Sequence, residues 1–140
     1  MLPTEVFLSH SHHDCDMAGR IAEVLRAHGV PVWFSPVNIL GAQQWHDEIG
    51  AALSRCDWFL VLLSPDAVSS IWVKRELVFA LNDDRYTGRI VPTRYRDCAY
   101  KTLSWTLPGF QMVDLSSDFA AGCREVLRIW GIGLRTELLS

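Results

Sequence analysis

Residues 58–63 read Trp-Phe-Leu-Val-Leu-Leu, a run that is apolar throughout. A strand that is apolar on both of its alternating faces is typical of the centre of a parallel sheet, where helices cover both sides. The residues Ser64-Pro65-Asp66 follow directly and end the run. This segment therefore predicts an α/β protein with one buried strand at the middle of its sheet.

Strands and helices alternate on both sides of this run. Strands are predicted at Val6–Leu8 and Val30–Phe34, where Pro31 restricts the start to a position that needs no ladder donor. Weaker strands are predicted at Arg89–Thr93 and Phe110–Leu115. With the helices between them, these strands predict a flavodoxin-like five-stranded parallel sheet with helices on both faces. The helices are predicted from apolar residues at helical spacing, namely Met17/Ile21/Val24/Leu25, Trp45/Ile49/Ala52/Leu53/Cys56, Val73/Leu77/Ala80/Leu81 and Phe119/Cys123/Val126/Leu127/Trp130.

Two helix ends carry recognisable signals. Gly29 follows the first helical stripe and is expected at the C′ position, where glycine ends helices. The third helix is expected to begin at Asp66 or at a Ser69/Ser70 cap. A start at the serines would place Trp72 and Glu76 in its first two turns.

Composition narrows the class of protein. The chain has 140 residues, of which 49% are hydrophobic and 21% charged, as in one soluble globular domain. Its net charge of -3 disfavours general binding to nucleic acids or anionic membranes. Residues 1–5 lack a basic signal region, and no apolar run approaches the length of a membrane span. Four scattered cysteines without a C-x-x-C pair favour reduced thiols, and a cytoplasmic location is expected.

One candidate chemistry is a metal site after the first strand. Residues 10–15 read His-Ser-His-His-Asp-Cys, which resembles the H-x-H-x-D-H zinc motif of metallo-β-lactamase-like hydrolases except at Cys15. Such a site needs further ligands downstream, where only His28 and His46 remain. We therefore expect no metal, and interpret Asp14 as a cap of the following helix.

A second candidate is phosphate binding by a glycine-rich loop. The chain contains neither G-x-G-x-x-G after its first strand nor G-x-x-x-x-G-K-[ST] anywhere. A standard dinucleotide-dependent redox enzyme or P-loop ATPase is therefore disfavoured.

The third candidate is cleavage of a glycosidic bond with one carboxylate. Trp72 and Glu76 are four residues apart and share a helix face beside the packing stripe. A carboxylate can stabilise an oxocarbenium-like ribosyl cation, and a pyridinium leaving group needs neither a general acid nor a metal. The early helical position favours the ionised carboxylate. Spacing alone leaves open the alternative of a solvated Glu76 and a Trp72 at the edge of the core.

Three segments in a fixed order carry a more specific signal. They are Val6–His10 followed by Asp14, Gly29–Phe34 followed by Gly41 and Trp45, and Leu62–Pro65 followed by Ser70–Leu77. Together they resemble the Toll/interleukin-1 receptor (TIR) domain family, particularly its bacterial members, over about residues 5–130.

This resemblance implies a flavodoxin-like fold and one of two functions. Some TIR domains assemble as scaffolds, whereas others cleave nicotinamide adenine dinucleotide (NAD) to nicotinamide and ADP-ribose or a cyclic isomer. NAD would be the substrate, with no cofactor and no metal, and Glu76 of the W-x-x-x-E segment would be catalytic. The residues that the resemblance assigns to substrate binding are Ser9, His10, Phe34, Ser35, Trp45 and Trp72. Many relatives have Asp where this chain has Ser35.

The resemblance also implies partners and an organisation for the chain. We expect a TIR domain at residues 1–132, activated by self-association through TIR–TIR contacts that include the BB loop at about Ser35 to Gln44, in bacterial antiphage defence. Residues 133–140 are expected to form a tail, interpreted as the start of a linker to a sensor or effector domain beyond Ser140. The alternative is a non-enzymatic TIR–TIR interaction module or an effector that imitates host TIR signalling. NAD or NADP preference and linear or cyclic product stay open.

Overall fold

The sheet has the predicted strand order. The structure is a computed structural model that describes residues 2–34 and 42–139, with only the backbone described for residues 42–45. Its five strands pair in parallel in the order β2-β1-β3-β4-β5, so the flavodoxin-like fold is confirmed. The strands are β1 (Val6–Ser9), β2 (Val32–Phe34), β3 (Trp58–Leu63), β4 (Ile90–Arg94) and β5 (Val113–Asp114).

Helices follow the first three strands and the last one. Within the described residues they are α1 (Cys15–Ala27), α2 (Ala42–Arg55), α3 (Pro65–Val68), α4 (Ile71–Leu81) and α5 (Phe119–Ile129). The stretch 94–107, which lacks a clear period in the sequence, contains the short 3-10 turn Tyr100–Thr102 and the start of another at Leu107–Gly109.

The core forms one layer on each face of the sheet. Val6 and Leu8 of β1 point toward α1 and α5, whereas Phe7 between them points toward α2 and α4. Every residue of β3 from Phe59 to Leu63 is fully buried. This double coverage explains why the β3 run is apolar on both faces.

The predicted helix ends are confirmed. Gly29 follows α1 with φ of 86°, a conformation that favours glycine. Ser70 caps α4, and its hydroxyl accepts a hydrogen bond from the Val73 N–H at 3.3 Å. This cap places Glu76 in the second turn of α4, near the carboxyl ends of the strands.

The last strand is shorter than predicted. The sequence predicts Phe110–Leu115, but pairing is limited to Val113–Asp114 at the edge of the sheet. A 3-10 turn containing Pro108 precedes the strand. After it, the Asp114 carboxylate accepts hydrogen bonds from the N–H and hydroxyl of Ser116, which turns the chain toward α5.

The residues after α5 pack onto the domain. Ile132 and Leu134 contact the core layer beside α1, and the Arg135 N–H donates to His28 Nε2 at 2.9 Å. The predicted boundary between residues 132 and 133 stays a prediction. None of the helices in the described ranges is long and apolar enough to cross a membrane.

The contact between α5 and β5 generates a test of packing. A Cβ atom on Gly122 would lie 2.8 Å from Leu115 Cγ and 3.0 Å from the Asp114 carbonyl oxygen, whereas one on Gly19 of α1 would meet nothing within 4 Å. We expect Gly122→Ala to lower the free energy of unfolding by about 1–3 kcal/mol. Gly19→Ala should raise it by up to about 1 kcal/mol. Urea denaturation measures both, and equal effects of the two substitutions would contradict this packing.

Candidate active site

A hydrogen bond between β1 and α4 lies at the centre of the candidate site. Ser9 ends β1 with 1% of its surface exposed, and Glu76 of α4 is 6% exposed. The Ser9 hydroxyl donates to Glu76 Oε1 at 2.6 Å. The fold therefore brings together two predicted site residues that are 67 positions apart in the sequence. The alternative that Glu76 is a solvated helix residue, which its spacing left open, is therefore wrong.

Burial governs the charge of this carboxyl group. Desolvation raises the pKa of Glu76 to about 7, and the hydrogen bond from Ser9 opposes the rise only in part. The N-terminal position in α4, which favours ionisation, is outweighed by this burial. Near pH 7 the carboxyl group is therefore populated in both its neutral and its ionised form, as is common for functional carboxyl groups.

Trp72 and Glu76 open onto the same cavity. The half-buried Trp72 ring has the Arg75 guanidinium 5.2 Å from its centroid and the His46 ring 6.4 Å away, edge-on. These side chains belong to a cavity of about 440 Å³, within the usual size range of small-molecule sites. It is lined by His46, Ile49, Gly50, Leu53, Trp72, Arg75, Glu76 and Phe79.

His10 and Phe34 lie together at the carboxyl ends of β1 and β2. Their ring centroids are 5.8 Å apart. Nδ1 of His10 lies 2.9 Å from the Ser11 carbonyl oxygen, and burial lowers the pKa of the imidazole, which favours its neutral form. Its Nε2 is buried and has no hydrogen-bond partner among the described residues. The structure therefore places His10 and Phe34 on the α1 side of the sheet, and neither residue lines the cavity at Glu76.

Two of the predicted substrate-binding residues cannot be placed. Ser35 and the side chain of Trp45 lie outside the described residues, and so do residues 35–41 of the loop predicted to mediate self-association. Phe34 is half-buried, and it packs against the core beside α1 as well as against His10.

Asp14 occupies the N-cap position of α1, as predicted, but it does not cap the helix with its side chain. Its side chain makes no capping hydrogen bond to α1; instead it is buried and accepts a hydrogen bond from the Ser64 hydroxyl. Because β1 and β3 are neighbours, the loops that follow them meet, and Asp14 turns inward to Ser64. Ser64 also caps α3 by accepting from the Ala67 N–H at 3.0 Å. A serine directly before Pro65 is the sequence signal for this cap.

The zinc-like residues do not form a cluster. His12 and His13 are exposed in a 3-10 turn, and Asp14 points inward to Ser64. Within residues 2–34 and 46–139, no three side chains of the His, Cys, Asp or Glu type lie together as metal ligands.

Sequence reasoning missed the part of the cavity that α2 contributes. His46, Ile49, Gly50 and Leu53 follow the i, i+3, i+4, i+7 spacing of one helix face, which is a detectable signal. Which helix that face meets depends on the fold and is absent from the sequence pattern. Arg75 also lines the cavity, but the W-x-x-x-E pattern specifies only Trp72 and Glu76 and leaves the residues between them undefined.

Comparison with known proteins agrees with this geometry. A profile of the TIR domain family matches residues 6–127, most of the chain. The chain therefore belongs to the TIR domain family, and the resemblance stated from its motifs is confirmed.

One curated relative and two solved structures are informative. The chain is 31% identical over 74 residues to the 2′ cyclic ADP-D-ribose synthase BtTIR of Bacteroides thetaiotaomicron. That match covers 52% of this chain but only 26% of the relative, so about three quarters of the relative has no counterpart in the match.

The structural neighbours support the fold. One is the TIR domain of the Toll-related receptor TRR-2 from Hydra magnipapillata, with a TM-score of 0.71 and 16% identity, covering 89% of this chain and 95% of that one. Another is from the activated Roq1 resistosome directly recognizing the pathogen effector XopQ (TIR domains), with a TM-score of 0.71 and 15% identity, covering 90% of this chain and 98% of that one. At such identities the likeness shows the fold alone.

The raised pKa of Glu76 makes stability depend on pH. Between about pH 4.5 and 7 the folded state binds the Glu76 proton more tightly than the unfolded state, so this group lowers stability as the pH rises. Glu76→Gln keeps an acceptor for Ser9 and removes the titration. We expect its stability relative to wild type to increase over this range by up to about 3 kcal/mol and then stay constant.

Urea denaturation at several pH values measures this difference. Glu23→Gln, a substitution of an exposed glutamate of α1, is the matched control and should show no such rise. A stability difference between Glu76→Gln and wild type that is flat from pH 4.5 to 7 would contradict the burial of an ionisable Glu76.

Proposed function

We propose that this TIR domain cleaves the bond between nicotinamide and ribose in NAD, with Glu76 as the catalytic carboxylate. The observation that carries the proposal is the buried Glu76, held by Ser9 and opening with Trp72 onto a ligand-sized cavity. Family membership supports it, as does the similarity to a relative named as a cyclic ADP-ribose synthase. NAD is the substrate in this proposal, not a cofactor.

The proposed reaction is a dissociative displacement at the ribose carbon. The C1′–N bond breaks and its electron pair goes to the pyridinium nitrogen, so nicotinamide leaves as a neutral molecule. The ribosyl group is left as an oxocarbenium-like cation, which the ionised Glu76 stabilises in its low-dielectric position. Attack by water with loss of a proton gives ADP-ribose, whereas attack by a hydroxyl group of the same molecule with loss of a proton gives a cyclic isomer.

The surroundings of Glu76 suit this task. A carboxylate that is poorly solvated interacts more strongly with developing positive charge than one in water. Ser9 orients the carboxyl group, and its hydroxyl stabilises the ionised form. The positive charge of a bound pyridinium would further lower the pKa of Glu76, so that substrate binding itself favours the active form.

Ser9, His10, Phe34 and Trp72 are proposed as substrate contacts, with roles that follow from their surroundings. His10 is proposed on the resemblance, and its buried Nε2, which has no hydrogen-bond partner among the described residues, is the ring atom left to bind a ribose hydroxyl group. Trp72 already faces the Arg75 guanidinium, which shows that a cation can lie over its ring. Ser35 and Trp45 are also proposed as substrate contacts, and only the family resemblance supports them.

A second candidate function is a non-enzymatic interaction module. Helix α4 exposes three large apolar side chains, Ile71, Val78 and Phe79, a pattern typical of a surface that contacts another protein. Assembly and catalysis are compatible, and self-association in antiphage defence is part of the proposal. A pure scaffold, however, would release no nicotinamide at any concentration or after artificial clustering.

Turnover of NAD tests the proposal directly. Wild-type protein, alone and clustered, should release nicotinamide, and Glu76→Gln should lower the rate by about 10²–10³-fold because the stabilising negative charge is lost. For wild type, kcat/KM should fall about tenfold per pH unit below about pH 7, since only the ionised carboxylate of Glu76 is active.

Chromatography with mass detection measures nicotinamide and distinguishes ADP-ribose from a cyclic product by mass. Glu23→Gln serves again as the matched control and should retain wild-type activity. Absence of nicotinamide release from folded, clustered wild type would favour the scaffold function. Release that survives Glu76→Gln would mean that another group is catalytic.

A further inference from the structure

A groove runs along two helices away from Glu76. On α2 its wall is formed by His46, Ile49, Gly50 and Leu53, and on α4 by Trp72, Arg75, Glu76 and Phe79. Both sets follow the spacing i, i+3, i+4, i+7, so two matching helix faces line the groove. Seven residues of helix extend about 10 Å, which is enough for more of a ligand than the ring that meets Trp72.

The lining of the groove changes from polar to apolar along its length. Three polar side chains, His46, Arg75 and Glu76, line one end of the groove. Trp72 lies at this same end. The far part is apolar, lined by Leu53 and by Phe79, whose side chain is 40% exposed. An aromatic ring exposed in an apolar groove is a surface on which a planar group can pack.

Gly50 keeps the middle of the groove open. Glycine within a helix such as α2 lowers stability by about 1 kcal/mol relative to alanine. Among the described residues no packing contact explains its presence, because a Cβ atom there would meet none of their atoms within 4 Å. The missing side chain instead leaves space at the groove wall, opposite the residues of α4.

Arg75 supplies a cation at the polar end of the groove, next to the carboxyl group of Glu76. Among the described residues, no carboxylate forms an ion pair with Arg75, whose guanidinium lies against the Trp72 ring. His46 lies 3.8 Å from the Asp47 carboxylate, which offsets positive charge on its imidazole. Arg75 is therefore the side chain of the groove that is best suited to bind an anion. A guanidinium in this setting can bind phosphate oxygens in a bidentate manner.

We propose that the groove between α2 and α4 binds the adenosine phosphate half of the dinucleotide, with phosphate at Arg75 and the purine base in the apolar part beside Gly50 and Phe79. This inference rests on the proposed function, which places the nicotinamide riboside half at Glu76. The groove continues directly from Glu76 and Trp72, and its order of cation and then apolar surface matches the order of phosphate and then base in NAD.

Filling the groove tests the proposal. Gly50→Leu introduces a side chain into the open space, and Gly19→Leu makes the same change at a helical glycine of α1 that is equally free of neighbours. We expect Gly50→Leu to raise KM for NAD at least tenfold and to leave cleavage of nicotinamide riboside, which lacks the adenosine phosphate half, within twofold of wild type. Gly19→Leu should change neither substrate's kinetics.

A second variant covers the outcome in which Gly50→Leu does not fold. Arg75→Gln should raise KM for NAD by a larger factor than KM for nicotinamide riboside, because only NAD carries the phosphates that Arg75 binds. Thermal unfolding of each variant shows which ones are folded. An equal loss for both substrates would overturn the proposal, and if that loss diminishes at high protein concentration, the groove holds a second copy of the chain instead.

Binding of adenosine 5′-monophosphate separates this proposal from the proposed function. Calorimetric titration should show binding to wild type and to Gly19→Leu, and at least tenfold weaker binding to Gly50→Leu. If the protein binds adenosine 5′-monophosphate in this way but releases no nicotinamide, the groove assignment is supported and the proposed activity is refuted. Failure of wild type to bind, or binding unaffected by Gly50→Leu, would overturn the groove assignment.

Discussion

The hydrogen bond from Ser9 to Glu76 is the interaction on which the site depends. An ionisable carboxyl group with 6% of its surface exposed is unfavourable in a protein interior unless it is hydrogen-bonded, and Ser9 supplies that bond. The bond also joins the end of β1 to the second turn of α4. It thereby orients the carboxyl group and lowers its pKa, against the larger opposite effect of burial.

The strand order makes this contact possible. β1 lies between β2 and β3, so the carboxyl ends of these three strands lie next to one another at one end of the sheet. Ser70 starts α4 at that end, and Ser64 ends β3 there while binding Asp14. The same end carries His10 and Phe34. Candidate site residues from β1, β2 and α4 are thus brought to the same end of the sheet by its strand order, with little contribution from local sequence.

Because the strand order assembles the site, the sequence could predict only those features that depend on local patterns. The apolar run Trp58–Leu63 identifies the central strand, and helical spacing identifies the shared face of Trp72 and Glu76, because both patterns are local. The bond between Ser9 and Glu76 and the inward turn of Asp14 depend on which strands are neighbours, and periodicity contains no such information. The sequence pattern likewise does not show that α2 and α4 face each other across the groove, because that arrangement depends on the tertiary fold. The short β5 differs from its prediction because a proline turn and the Asp114 carboxylate limit the pairing of an apolar segment.

Burial of Glu76 connects the stability of the fold with its proposed chemistry. The desolvation that destabilises the ionised carboxylate is the same property that would make it interact strongly with a ribosyl cation. Such a compromise between stability and activity is common where a site needs a poorly solvated charge. The α2–α4 groove extends this site with a cation and an apolar surface, so the proposed substrate would contact the domain along its length.

The pKa of Glu76 is the quantity that tests the central claim most directly. Carbon-13 NMR of the glutamate side-chain carboxyl groups, with Glu76→Gln used to assign the resonance, follows its titration in wild type and in Ser9→Ala. A buried carboxyl group stabilised by Ser9 should titrate near pH 7 in wild type and at higher pH in Ser9→Ala. Titration near pH 4.5, or a midpoint that Ser9→Ala leaves unchanged, would contradict it.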